Sequence, residues 1–465
     1  MSKPNILFIM ADQFRADALH CNGGAGETPN LDALAAEGVL FTRCCTAAPL
    51  CVPARISLFT GKYPHTTTAW DNAAYVLDPA ADLWSKEIRR QGYDTAVVGK
   101  LHLHADRGDM IAQAPLVNGY GFDFVNEISG PHAQCKTRTH MGEEWKRLGY
   151  FDAYCADMAA RGKVPHAKPS PLPLEEYYDT YVGRHGKEWL ENCKGGKPWF
   201  CHVSFGGPHE PWDAPEPYAG MYDPAAMPAP LPDVREHAAE RPRGEYDRLY
   251  AKPDLHCSPG QARAIRANYA GSVTLIDRWI GEIIHTIKAR GEWENTMVLF
   301  TSDHGELNGD HGFVNKRNFF RGAVNIPLII RTPETARRGG RVSDALVNLL
   351  DVGPSLAEYA GGTLDYTQFG RSLCALVRGE TEQHRQQLLS EYGGECMLAD
   401  REWKAVFNKD GELYLLFHLT EDPDEVENLA ADPAYRETGR EMEHRLFQEI
   451  ARNQCYQPSL TQKRV

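Results

Sequence analysis

The sequence predicts an α/β fold, with one large, mostly parallel sheet flanked by helices and a small C-terminal α+β subdomain. Three observations predict it. Short, continuously apolar runs alternate with helical ones over most of the chain, and strands apolar throughout belong to parallel sheets covered on both faces. Residues able to carry chemistry recur just past the ends of those runs. Beyond about residue 365 the pattern changes to alternation around a turn.

The elements follow in order. NILFIM (5–10), bounded by Pro4 and Asp12, is a buried strand. NLDALAAEG (30–38) is an amphipathic helix closed by Gly38, and VLFTRC is a short strand after it. LWSKEIRRQGY is a helix ending at Gly92, and DTAVVG (94–99) is a buried strand. PWFCHVSF (198–205), TMVLFTSD (296–303) and NIPLIIRTP repeat that type. ARAIRANYAGSVTLIDRWIGEIIHTIKARG is one long amphipathic helix or two in tandem. Regions 106–180 and 208–260 are Pro-, Gly- and His-rich with weak periodicity, and read as loops and insertions around a site. EWKAVFNKDGELYLLFHL reads as a hairpin about Lys-Asp-Gly, leading to a C-terminal helix at 435–452. The expected division is a catalytic domain over 1–365 and an α+β subdomain with an antiparallel hairpin over 366–465.

Composition narrows the function classes. Apolar content of 42% and charged content of 24% suit a water-soluble globular chain. A net charge of −13 argues against a nucleic-acid partner, but a local cationic pocket can still bind an anion. The 12 cysteines show no CxxC and no paired zinc-ligand spacing, so they read as buried or surface thiols rather than a disulfide framework. No run is long and apolar enough to span a membrane. The run at 5–11 is too short for a signal-peptide core, so the chain as written is expected in the cytoplasm, or in the periplasm or outside the cell if a signal peptide has been removed. Monomer and homo-oligomer both remain open.

The most informative stretch is Cys51-Val52-Pro53-Ala54-Arg55. Pro53 suits the first turn of a helix. Arg55 then lies on the same face as Cys51, at a helix N-terminus that favours anions. A Pro-flanked loop with a buried cysteine is the plainer alternative. In open parallel sheets, ligands bind beyond the carboxyl ends of strands. Asp12 and Gln13, Lys100 and His102, His209, and Asp303 and His304 all fall there, with Lys316 shortly after. Asp12, Gln13, Asp303 and His304 form a hard-cation set: their oxygens suit calcium, and the imidazole moves the balance toward manganese or zinc. The plainer reading has the two aspartates capping helices. Lys100, His102, His209 and Lys316 read as anion-binding and proton-transfer groups. His65 and His311 read as structural. His104, His132 and His140 could line a pocket. Trp212 and Tyr218 could form a sugar-stacking wall or simply pack.

These motifs resemble type I sulfatases and their phosphonate-hydrolase relatives. The resemblance runs through PNILFIMADQ, TPNLDALAAEGVLF, CVPARISLFTGKYPH, VVGKLHLH, GPHEPW, TSDHGE with GDHG, NKRNFFRGAVNIPLII and ELYLLFHLTEDPDEVENLA. It implies an alkaline phosphatase-like fold, one divalent metal with calcium as first choice (manganese or zinc otherwise), and oxidation of Cys51 to formylglycine by a formylglycine-generating enzyme. By that resemblance Asp12, Gln13, Cys51, Asp303 and His304 hold the metal. Arg55 and Lys100 stabilise the diolate at position 51, His102 helps remove the diol proton, and His209 and Lys316 meet the substrate sulfate and its leaving oxygen. The implied reaction removes sulfate from an organic sulfate ester, a sulfated carbohydrate by preference. Phosphonate or phosphate ester hydrolysis on the same scaffold is the first alternative, and a catalytically silent metal- or glycan-binding relative the second. Two departures stand out. Asp-Gln and Asp-His replace the commoner Asp-Asp and Asp-Asn, as in phosphonate monoester hydrolases, choline-sulfatases and glycan 2-O-sulfatases. Ala54 stands where Ser is common.

Overall fold

The computed structural model describes residues 3–72, 75–162, 165–234, 244, 248–249, 251–454 and 461–463. Nine strands build the main sheet. They are β1 (Asn5–Ala11), β2 (Val39–Cys45), β3 (Asp94–Gly99), β4 (Phe124–Glu127), β5 (Trp199–Phe205), β6 (Thr296–Ser302), β7 (Asn325–Arg331), β8 (Arg341–Ser343) and β9 (Val347–Asn348). Their order is β8-β2-β7-β6-β1-β5-β3-β4, with β9 also on β2. β1 pairs in parallel with β5 and β6, and β3 with β4 and β5. β7 runs antiparallel to both neighbours.

The apolar runs are buried on both faces, as their composition requires. Ile6, Phe8 and Met10 of β1 enter one core with Trp84, Phe200 and Leu299. Leu7, Ile9 and Ala11 enter the other with Val203, Tyr181 and Ile276. Helices Trp84–Arg90 and Val352–Tyr359 contribute to the first layer, Tyr178–Asn192 and Pro259–Ala289 to the second. The long helical pattern is a single 31-residue helix, opened by a Ser258–Gln261 capping box and Pro259.

Four strands form the antiparallel C-terminal sheet: β10 (Leu388–Tyr392), β11 (Glu395–Ala399), β12 (Trp403–Phe407) and β13 (Leu413–His418). The expected hairpin is its β12–β13 half. The preceding β10–β11 pair turns at Gly393-Gly394, both at positive φ. Leu398, Ala405 and Leu416 pack against Met442 and Leu446 of the terminal helix Arg436–Arg452, while Val406, Leu415 and Phe417 face Phe319 and Phe320 of the larger layer.

Two expectations need correction. Region 106–180 is more regular than its composition suggests. It holds edge strand β4 and helices His140–Leu148 and Phe151–Ala160. β4 is only four residues long and two are polar (FVNE), too short for a periodic signal. The cysteines are also not all thiols: Cys135 and Cys155 form a disulfide that ties the 3-10 turn Gln134–Lys136 to helix Phe151–Ala160. Of the 208–260 stretch, 235–243, 245–247 and 250 lie outside the described residues. Among the described residues no helix is long and apolar enough to cross a membrane.

Candidate active site

The carboxyl ends of β1, β3, β5 and β6 converge on the N-terminus of helix Cys51–Thr60, whose ten residues are all buried. Cys51 opens this helix and Pro53 lies in its first turn, so Cys51 and Arg55 share a face. Gly99 ends β3 at φ 106°, and a Cβ there would lie 1.9 Å from the Ser204 carbonyl. Only glycine lets β3 approach β5 closely enough to place Lys100 beside the helix. Gln13 and His102 take left-handed backbone at φ 66° and 62°, a costly conformation for such residues that redirects the chain just past each strand.

The ligand-type atoms of Asp12, Cys51, Asp303 and His304 all lie within 4.8 Å of one another and are buried. Cys51 Sγ is 3.1 Å from His304 Nε2 and 3.8 Å from Asp12 Oδ1. His304 Nδ1 faces the Gly305 carbonyl at 2.9 Å; donation there leaves the Nε2 lone pair toward the cluster, the tautomer a metal ligand needs. Two carboxylates and a neutral imidazole thus fit a divalent cation. Arg55 spans both carboxylates, donating through Nε to Asp303 Oδ2 at 2.8 Å and through Nη2 to Asp12 Oδ2 at 3.2 Å. It also donates through Nη1 to Ser204 Oγ at 3.0 Å and to the Lys100 carbonyl at 2.6 Å. Lys100 Nζ sits 2.7 Å from Asp12 Oδ2.

Gln13 uses its side chain differently. Its Nε2 donates to Glu210 at 2.9 Å and to Glu306, and its Oε1 accepts from Lys316. Its backbone N–H reaches Asp303 Oδ1 at 3.1 Å. Lys316 Nζ lies 2.7 Å from His209 Nε2. His102 Nε2 lies 3.4 Å from Asp106.

The electrostatics favour an anion at position 51. Burial raises the Cys51 thiol, but Lys100, His304 in its protonated form, Lys316 and a hydrogen bond from His102 outweigh it and hold the group well below the ordinary thiol range; a cation on His304 Nε2 would take the place of that proton. Burial likewise opposes the charge on Lys100, yet Asp12 and Cys51 raise it above the usual lysine range.

A cleft of ≈490 Å³ opens over this centre. Cys51, Lys100, His102 and His209 line it, while Asp12, Gln13, Arg55, Asp303, His304 and Lys316 are buried. All ten sequence-derived residues therefore gather in one place. His132 lines the cleft as well; Tyr218 is buried in the core, and Trp212, also largely buried there, lines an adjoining cleft with His132. His65 is held by Glu391 at 2.7 Å, and His311 stacks on Phe320, both structural. His104 pairs with Glu127 at 2.8 Å, away from the cations.

Sequence reasoning missed Glu210, Glu306 and Asn72. Burial opposes the charge on Glu210, but His209, Lys316 and His132 hold its carboxyl well below the usual range. Asn72 accepts from the Val52 backbone N–H at 3.0 Å, at the start of the catalytic-type helix. Glu210 follows His209 directly in GPHEPW, and that adjacency was the available signal.

Residues 4–362 match the sulfatase family, and residues 309–452 match the C-terminal region of N-sulphoglucosamine sulphohydrolase. The chain belongs to the sulfatase family. It is a sulfuric ester hydrolase with an alkaline phosphatase-like fold, of a family that works through one divalent metal and a formylglycine. It is 30% identical to the multifunctional alkaline phosphatase superfamily protein PehA of Trinickia caryophylli, covering 94% of this chain and 93% of that one. It is also 30% identical to an arylsulfatase of Clostridium perfringens, covering 94% and 92%. The phosphonate monoester hydrolase of Agrobacterium radiobacter superposes with a TM-score of 0.79 at 28% identity, over 97% of this chain and 96% of that one.

Proposed function

We propose that the preferred substrate is a sulfate monoester carried by a carbohydrate, and that the ten residues above do the work the family resemblance implies. The observation that carries this reading is the placement of Cys51 at the floor of the cleft, 3.1 Å from His304 Nε2 and 3.8 Å from Asp12 Oδ1, with Lys100, His102 and His209 lining the same cleft. A cleft of ≈490 Å³ matches small-molecule sites. Its Asn72, Asp106, Arg107, His132 and Lys136 are groups that hydrogen-bond hydroxyls.

Asp12, Asp303, His304 and position 51 would hold the metal, calcium by preference for the carboxylates, and Gln13 would join through its amide oxygen only by leaving Lys316. Such an ion polarises ester oxygens and stabilises an oxyanion. A formylglycine at position 51, hydrated by one water to a geminal diol, would supply two hydroxyls, one to attack sulfur as the alcohol leaves and one whose deprotonation expels sulfate and restores the aldehyde. The chain's own groups do the rest. Arg55 and Lys100 hold negative charge at position 51. Lys316 Nζ and His209 Nε2 bind the transferred group and give a proton to the leaving oxygen, and His102 Nε2 receives the proton from position 51.

A second reading is hydrolysis of phosphonate monoesters or phosphate esters. It is supported by the Asp-Gln and Asp-His pairs and by the 28% identical phosphonate monoester hydrolase fold. Comparing kcat/KM for an aryl sulfate, an aryl phosphonate and a sulfated disaccharide separates the two. The carbohydrate reading requires the disaccharide to lead.

A further inference from the structure

We infer that Glu210 selects the charge of the ester, favouring a transferred group that carries one negative charge over one that carries two. The inference rests on the proposed roles of His209 and Lys316. Arg55 and Lys100 pair with Asp12 and Asp303, the carboxylates that would hold the divalent ion. On the side of the cleft away from those ligands, Lys316, 2.7 Å from His209 Nε2, is the cation that faces the incoming anion. Glu210 stands directly behind them.

Its carboxylate lies 3.3 and 3.5 Å from Lys316 Nζ, 3.2 Å from His209 Nδ1 and 3.8 Å from His132 Nε2. Gln13 Nε2 donates to it at 2.9 Å, and the Asn315 amide, turned to donate, reaches both oxygens at 2.7 and 2.9 Å. Its side chain is 16% exposed. Glu210 also lines an adjoining cleft of ≈330 Å³ that shares His132 with the first.

A negative charge fixed this firmly offsets the charge of Lys316 and lowers the positive potential on that side of the cleft. A partly buried charge is poorly screened, so an anion docked against Lys316 still feels Glu210. One charge on the substrate finds enough positive potential; a second meets repulsion. A glutamine would keep the hydrogen bond to Lys316 and lose that repulsion. Sulfate monoesters and phosphonate monoesters carry one charge on the transferred group, and phosphate monoesters carry two at neutral pH. The residue therefore sets the boundary between the first two and the third.

The test uses the full chain, matured with a formylglycine-generating enzyme, and the pair 4-nitrophenyl methylphosphonate and 4-nitrophenyl phosphate at pH 8. The two share a leaving group and differ by one charge. Wild type is expected to prefer the monoanion, and Glu210→Gln to reduce that preference at least about tenfold, a change of about 1.4 kcal/mol. Glu210→Asp should retain the wild-type ratio. Binding of the same pair to Cys51→Ala and to Cys51→Ala/Glu210→Gln, read by calorimetry, gives the ratio without turnover and should shift the same way. A wild-type preference for the dianion overturns the inference. So does an unchanged ratio in both Glu210→Gln experiments, even with both rates reduced, which would make Glu210 a positioning residue only. Failure of the parent reading looks different: wild type and Cys51→Ala would then handle 4-nitrophenyl sulfate alike.

Discussion

Cys51 Sγ lies 3.1 Å from His304 Nε2, although 253 positions separate the two residues. β6 and the helix beginning at position 51 bring them to the same edge of the sheet, and Arg55, one helical turn further on, ties that helix to Asp303. The nucleophile position and the metal-type ligands are thus held by one buried network, and its parts answer to different perturbations.

Leaving-group dependence isolates His209 and Lys316. An alkyl sulfate needs a proton on its departing oxygen and a 4-nitrophenyl sulfate hardly does. His209→Ala should lower kcat/KM on the alkyl ester about 10²-fold or more, in the range of general acid catalysis, and far less on the aryl ester. Steady-state kinetics on the two esters checks it; equal losses would remove His209 from proton transfer.

Metal analysis addresses Asp12, Asp303 and His304. Purified protein should carry one divalent ion per chain, and chelation should abolish turnover that added calcium, manganese or zinc restores to different extents. His304→Ala should weaken binding by at least the 10–100-fold seen for the outer partners of metal ligands. Elemental analysis with titration calorimetry gives both numbers.

Arg55 is fully buried between Asp12 and Asp303. Removing one partner of a buried ion pair strands the other charge and costs about 3–5 kcal/mol. Arg55→Ala should lose about that much stability in denaturant unfolding of the metal-free protein. A bound divalent cation should restore part of it.

Asp179 gives a pH dependence. Its Oδ1 accepts from the backbone N–H groups of Gly206 and Gly207 at 2.9 and 3.0 Å, anchoring the loop that carries His209. A Cβ on Gly207 would lie 2.3 Å from Asp179 Oδ2, so that approach requires glycine. Burial raises Asp179 from 3.8 to about 7, against the opposing Gly207 and Gly206 donors. The native state therefore binds more protons than the unfolded state between those values. Stability contributed by this group falls as pH rises from about 4 to about 7, by up to about 4 kcal/mol. Asp179→Asn should flatten that slope, leaving the share of Asp213, which burial also raises to about 7. Unfolding free energies at pH 4.5 and 7 decide it, and an identical slope in the variant would count against the assignment.

Much of this was legible in the sequence for a simple reason. Strands buried on both faces are apolar without interruption, so the residue where each run stops is visible, and the sheet geometry says that those residues meet. Asp12, Lys100 and Asp303 follow from that rule. Glu210 and Glu306 did not, because an acid is not expected in an anion site, and Gln13, Lys316 and Asn315, which hold them, come from distant parts of the chain. The amide of Gln13 turns to those same carboxylates, a contact no local pattern encodes. Edge strand β4 is too short to show a period, and the pairing of Cys135 with Cys155 depends on the mutual approach of two helical segments.

The most direct measurement is turnover of a sulfate ester by matured wild type and by Cys51→Ala, with thermal unfolding and metal content recorded alongside. The account predicts that the variant keeps its fold and most of its metal and loses activity to the limit of detection. Undiminished hydrolysis by Cys51→Ala would contradict it.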